Sequence, residues 1–211
     1  MAGPHLIYFA DPMCSWCWGF APVIEEIAAR FGERLPISLV LGGLRPGTTV
    51  PMQQKHMLKL RAHWAHVREA SGQEFDDAFF ARTDFIYDTE PPCRAVVIFR
   101  RRNMKVALRG LKRLQQAFYA QNKDITSAAI LTELAAEFDF DAGEFTNLLN
   151  DAGVREECWR DFAITQNTGI RGFPALIAGT GRNDEYAVVT NGYVSADVLM
   201  PGLIRWADQY L

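Results

Sequence analysis

The chain has 211 residues, of which 49% are hydrophobic and 22% charged, with a formal net charge of -3. That length buries a substantial core, and the composition is that of a globular protein rather than a disordered one. The mildly acidic balance points away from nucleic acid and from a membrane surface as partners.

Leu6-Ile7-Tyr8-Phe9 is a short apolar run ended by Asp11-Pro12, and it predicts a buried strand. A secretory leader needs a basic start, and no Lys or Arg precedes Arg30, so the expected location is the cytoplasm. No run approaches the ~18 apolar residues of a membrane helix. From Trp18 to Phe31 the apolar residues Phe20, Val23, Ile24, Ile27 and Phe31 recur at helical spacing, and Gly32 supplies a stop. Pro36 to Leu41 reads as a second strand closed by Gly42-Gly43. The opening is therefore a βαβ unit.

From Lys55 to about Phe162 the pattern is almost entirely helical. Met57 to Val67 suits one helix, and Cys93 to Arg101 suits another, with Pro91-Pro92 just before it. Val106 to Phe118 suits a third and Ile130 to Phe138 a fourth, followed by shorter pieces around Phe145, Leu148 and Trp159. Strands return at Ala175–Ala178 and Tyr186–Thr190, separated by a polar turn. Ser195 is placed to cap a last helix that runs to Tyr210. The predicted fold class is α/β: a mixed sheet flanked by helices, with residues 1–43 and 166–211 forming one domain and residues 44–165 a large all-helical insertion.

Of the four cysteines, Cys14 and Cys17 form a C-x-x-C pair at the first strand-to-helix junction. A thiol attacks as thiolate, and the free N–H groups at a helix start favour an anion there. Cys17 lies about one turn further on, within reach to close a disulfide. The pattern predicts thiol–disulfide exchange, with Cys14 as nucleophile and Cys17 as resolving thiol. Ser15 is positioned to donate to the Cys14 thiolate, whereas Asp11 opposes ionisation if it lies close. A zinc site needs four ligands. Cys93 and Cys158 are far apart in sequence and lack cysteine neighbours, and His56, His63 and His66 show no metal-binding pattern, so no metal is expected. Gly172-Phe173-Pro174 precedes a strand, a place where proline is accommodated either in trans at the strand start or by a cis bond in a tight turn.

Asp11-Pro12-Met13-Cys14-Ser15-Trp16-Cys17-Trp18-Gly19-Phe20, Gly169-Ile170-Arg171-Gly172-Phe173-Pro174 and the helical insertion resemble the DsbA-like thioredoxin superfamily, in its cytosolic FrnE-like, protein-disulfide-isomerase branch. The resemblance spans essentially the whole chain. It implies a thioredoxin-like fold, Cys14 and Cys17 as the catalytic pair, and Pro174 as a cis-proline facing them. It also implies that the backbone beside Phe173 pairs with an extended substrate. The Ser-Trp spacer departs from the Pro-His of DsbA itself, so strong oxidant behaviour does not carry over.

The expected activity is that of a protein-disulfide reductase or isomerase. Substrate contacts come from Ser15, Trp16, Phe173 and Pro174. The redox centre is the cysteine pair itself, with no bound cofactor and with glutathione as a reducing partner. Partners are disulfide-containing or thiol proteins or small thiols. Two other readings are a glutathione-dependent isomerase or transferase of the kappa-class type and a redox-inert binding or chaperone module. Cys93 and Cys158 read as packing cysteines. Arg101, Lys105, Arg109 and Lys112, with Arg100, Arg102 and Arg113, read as a solvated basic stripe.

Overall fold

In the computed structural model, which describes residues 3–182 and 185–211, the opening apolar run forms β1 (His5–Ala10) in the interior of a sheet. Leu6, Tyr8, Phe9 and Ala10 are all buried, as they are in a strand covered on both faces. α1 (Ser15–Phe31) follows, then β2 (Ile37–Leu41), which runs parallel to β1 from Leu6 against Ile37 to Ala10 against Leu41. After the helical stretch, β3 (Ala175–Gly179) pairs antiparallel with the other side of β1. β4 (Tyr186–Asn191) completes the order β2-β1-β3-β4. The polar turn expected before β4 includes Asn183 and Asp184, which lie outside the described residues, as do Met1 and Ala2 of the leader reading.

The helical stretch comprises α2 (Gln54–Ser71), α3 (Glu90–Arg102), α4 (Met104–Tyr119), α5 (Ala128–Ala136), α6 (Ala142–Asn150) and α7 (Ala152–Asn167), and α8 (Ala196–Tyr210) closes the chain. Several boundaries differ from the pattern reading. Pro91 and Pro92 sit inside the first turn of α3, where a helix needs no N–H from them. Trp159 lies mid-way along a 16-residue helix, not in a short piece. The buried face of α7 carries Asp161 and Thr165 beside Val154, Cys158 and Phe162, so its apolar period is broken. Ser195 precedes α8 without a side-chain capping bond. The span between α2 and α3 is irregular apart from a 3-10 turn at Asp77–Ala81.

Pro22 stands inside α1 and has no N–H to give to the carbonyl of Trp18. Gln73 Nε2 donates to that carbonyl instead at 2.9 Å, and the Trp18 indole donates to the Glu74 carbonyl at 3.0 Å. The segment after α2 is thereby tied to the helix that begins at the cysteines.

β2 lies at the end of the strand order, and side chains of α3 and α7 meet its outward backbone groups. Arg100 donates to the Leu39 carbonyl at 2.9 Å, Asp161 accepts from the Leu41 N–H at 3.0 Å, and Thr165 donates to the Leu41 carbonyl at 3.0 Å. Arg100 also binds Asp161 at 2.5 Å and Glu157 at 3.0 Å. Of the expected solvated stripe, Arg101, Arg102, Lys105 and Arg109 are exposed, and Arg100 is the member that is corrected. Arg100 is a largely buried tether, Arg102 donates to the Phe138 carbonyl, and Lys112 pairs with Glu25 at 2.6 Å. One continuous cluster of buried side chains joins sheet and helices, from Leu6 and Phe20 to Phe99, Phe118 and Phe145.

Candidate active site

β1 ends at Ala10, and the carbonyl of Asp11 then accepts the Cys14 N–H at 3.1 Å. This turn places Cys14 at the N-cap of α1 in extended conformation (φ -92°, ψ 114°), and its own carbonyl takes the Trp18 N–H at 3.1 Å. The Asp11 carboxylate holds the turn in place. Oδ1 accepts from the Met13 N–H at 2.8 Å and Oδ2 from the Leu44 N–H at 2.7 Å. It is fully buried, and burial lifts it from 3.8 to about 6 despite those hydrogen bonds.

Cys14 keeps 7% of its surface exposed and Cys17 keeps 0%. The peptide bond between Phe173 and Pro174 is cis. The Cys14 thiol donates to the Phe173 carbonyl at 3.4 Å, across 159 positions of sequence. The Phe173 ring lies directly over Gly42, where a Cβ would come within 2.2–2.5 Å of three ring atoms. Burial pushes the Cys17 thiol well above its ordinary range, and its hydrogen bond and proximity to Cys14 raise it further. Cys17 is thus held as a thiol behind Cys14, and Cys14 is the member of the pair that meets solvent.

The structure brings Cys14, Ser15, Trp16 and Phe173 together in one cleft of about 480 Å³, with Cys17 beneath and Pro174 buried behind. Ser15 lines the cleft but is itself buried, and among the described residues no hydrogen bond joins its hydroxyl to Cys14. The Trp16 indole lies edge-on to His63 and His66, at 5.7 and 5.5 Å between ring centres, and against Tyr193 at 5.3 Å. Burial, then the neighbouring His66, lowers the His63 imidazole from its ordinary value. Among the described residues no cluster of three or more His, Cys, Asp or Glu is arranged to hold a metal ion. No helix among them is long and apolar enough to cross a membrane.

Several wall residues were not legible in sequence. Arg45, Lys59 and His56 line the cleft, and the Tyr87 hydroxyl donates to the Met13 carbonyl at 2.6 Å. Cys93 and Cys158, 65 positions apart, lie close enough in the interior for Cys158 to raise the Cys93 thiol, and the Cys93 thiol donates to Asp11 Oδ2 at 3.6 Å. Nothing in the spacing of these residues signals their meeting. The helical patterns of α2, α3 and α7 report which face is buried but not which helix lies opposite.

A cysteine pair at the start of a helix, facing a cis-proline turn on a mixed sheet, defines a thioredoxin-fold protein of the DsbA-like type. A family model described as Thioredoxin matches residues 8–200, and the chain belongs to that family. A candidate protein disulfide isomerase from Nitrosomonas europaea is 34% identical, with a TM-score of 0.89 over 99% of this chain and 100% of that one. The cytosolic disulfide reductase DsbM from Pseudomonas aeruginosa shares the fold at 24% identity, with a TM-score of 0.77 over 97% of this chain and 99% of that one. The chain is also similar to the ClpXP adapter protein SpxH of Bacillus subtilis (strain 168), at 23% identity over 199 residues and 92% of this chain. It spans 65% of the length of that curated relative.

Proposed function

We propose that this chain is a thiol–disulfide oxidoreductase that acts as a reductase or isomerase through Cys14 and Cys17. The asymmetry of the pair carries the reading: one thiol at the surface beside the Phe173 carbonyl, the other sealed and held protonated. The Cys14 thiolate attacks one sulfur of a substrate disulfide, forming a mixed disulfide and releasing the other sulfur as a thiolate. Cys17 then attacks the Cys14 sulfur, and its proton leaves with the departing substrate thiol. Two electrons have passed to the substrate, and Cys14–Cys17 is a disulfide. Two molecules of an external thiol such as glutathione return the pair to the dithiol and leave as their own disulfide. An extended substrate lies along the Phe173–Pro174 turn and against Trp16. Ser15 shapes the cleft floor. The likeness to the cytosolic reductase DsbM supports a cytoplasmic setting.

The test is a glutathione redox titration combined with trapping. Wild type should show a single two-electron transition confined to Cys14 and Cys17. Cys17→Ser should accumulate a mixed disulfide with a glutathionylated peptide, and Cys14→Ser should not. If no Cys14–Cys17 disulfide forms at any glutathione ratio, the reading is wrong.

The SpxH relatives raise a second reading, a binding module whose thiols do not cycle. It requires that partner capture survive loss of both Cys14 and Cys17, which the double variant Cys14→Ser with Cys17→Ser decides.

A further inference from the structure

A second pocket, of about 310 Å³, opens between α1 and α4 and shares no lining residue with the cleft around Cys14. Its size and mostly apolar wall are those of a small-molecule site. The inner part is made by Tyr8, Ala21, Ile24, Leu111 and Gln115, all buried. Gln115 is 1% exposed, and its Nε2 has no hydrogen-bond partner. A buried amide N–H left unpaired costs free energy, so native interiors rarely keep one without a reason. The fold does not ask for it. Gln115 follows Leu111 by four positions and precedes Phe118 by three on the buried face of α4, where a leucine would pack.

The mouth of the pocket is charged. Lys105 and Arg109 stand exposed one turn apart on α4. Lys112 is matched by Glu25 of α1 at 2.6 Å, so Lys105 and Arg109 leave the mouth net positive.

We propose that this pocket binds a small amphipathic organic anion. Its apolar body packs on Ala21, Ile24 and Leu111, a hydrogen-bond acceptor at its inner end meets Gln115 Nε2, and its carboxylate rests at the mouth beside Lys105 and Arg109.

The test uses calorimetry on the reduced, full-length chain with three probes below their micellar concentrations: 10-hydroxydecanoate, decanoate and decylamine. 10-Hydroxydecanoate should bind at one site, about fivefold more tightly than decanoate, as expected for one added hydrogen bond. Decylamine should bind at least about tenfold more weakly than either acid. Gln115→Leu should erase the preference for the hydroxylated acid while keeping decanoate binding. Lys105→Glu with Arg109→Glu should weaken both acids, and these exposed substitutions keep the test open if Gln115→Leu does not fold. Methyl resonances of Ile24 and Leu111 should shift on binding. No saturable binding of either acid, or binding that leaves those methyls unmoved, or affinities indifferent to the charge reversals, would overturn the site.

Discussion

Sγ of Cys93 lies 3.6 Å from Oδ2 of Asp11, with both groups sealed from solvent. The same carboxylate fixes the Met13 and Leu44 backbone, so the loop that aims Cys14 hangs on a buried acid. Burial raises that acid from 3.8 to about 6. The folded chain therefore holds the proton more tightly than the unfolded chain. The stability this contributes is fully present below the unfolded value and is lost as pH rises through about 6. Under reducing conditions, the unfolding free energy of wild type minus that of Asp11→Asn should fall by roughly 2–3 kcal/mol from about pH 3.5 to 7. A difference that stays flat or grows across that range would contradict the raised value.

The exposure of the four thiols predicts an order of alkylation. Iodoacetamide on the native, reduced protein should label Cys14 first, because Cys17, Cys93 and Cys158 are each 0% exposed. Peptide mapping after partial reaction reads the order. All four should label together once the chain is unfolded. Early label on Cys93 would mean that the interior around Asp11 opens more readily than the site.

Gly42 tests whether the position of Phe173 matters for exchange. Gly42→Ala must displace the Phe173 ring, and with it the carbonyl that faces Cys14. The cost should be about 1–3 kcal/mol of stability from overpacking. The rate of exchange at Cys14 should also fall by about tenfold or more, as small misplacements at a reacting centre do. Gly110→Ala is the control. Its Cβ would lie 2.2 Å from the Phe99 ring in the helical core, so it should destabilise while leaving exchange unchanged. Equal effects on exchange would show that Gly42 acts only through stability.

Arg100→Ala removes the partner of Asp161 and Glu157 and the donor to the Leu39 carbonyl. Breaking such a largely buried pair leaves an uncompensated charge, so the loss should be about 3 kcal/mol in denaturant unfolding. A loss below about 0.5 kcal/mol, the scale of a surface pair, would mean that the network is solvated.

The βαβ opening and the cysteine pair were legible because they rest on local signals: the run from Leu6 to Phe9, the spacing from Phe20 to Phe31, and Gly32 with positive φ at the helix end. The strand after Pro174 and the one from Tyr186 read as easily. What stayed hidden depends on which surfaces meet. The place of Asp11 beside Cys93, the edge-on histidines against Trp16, and the role of Arg100 on β2 join segments tens of residues apart or more. No periodicity within one helix encodes such a partner. Polar residues buried on α7 also broke the pattern by which its length would have been read.

The side chains laid along the outer backbone of β2 have a further consequence. An uncovered border strand is a template on which another molecule's strand adds, and proteins guard against that growth. Here the guard is Arg100, Asp161 and Thr165, drawn from α3 and α7. The helices are thus not ornaments on a self-sufficient sheet. A shortened chain without them would expose Leu39 and Leu41 to its own copies, and its fate would be polymerisation rather than a smaller working protein.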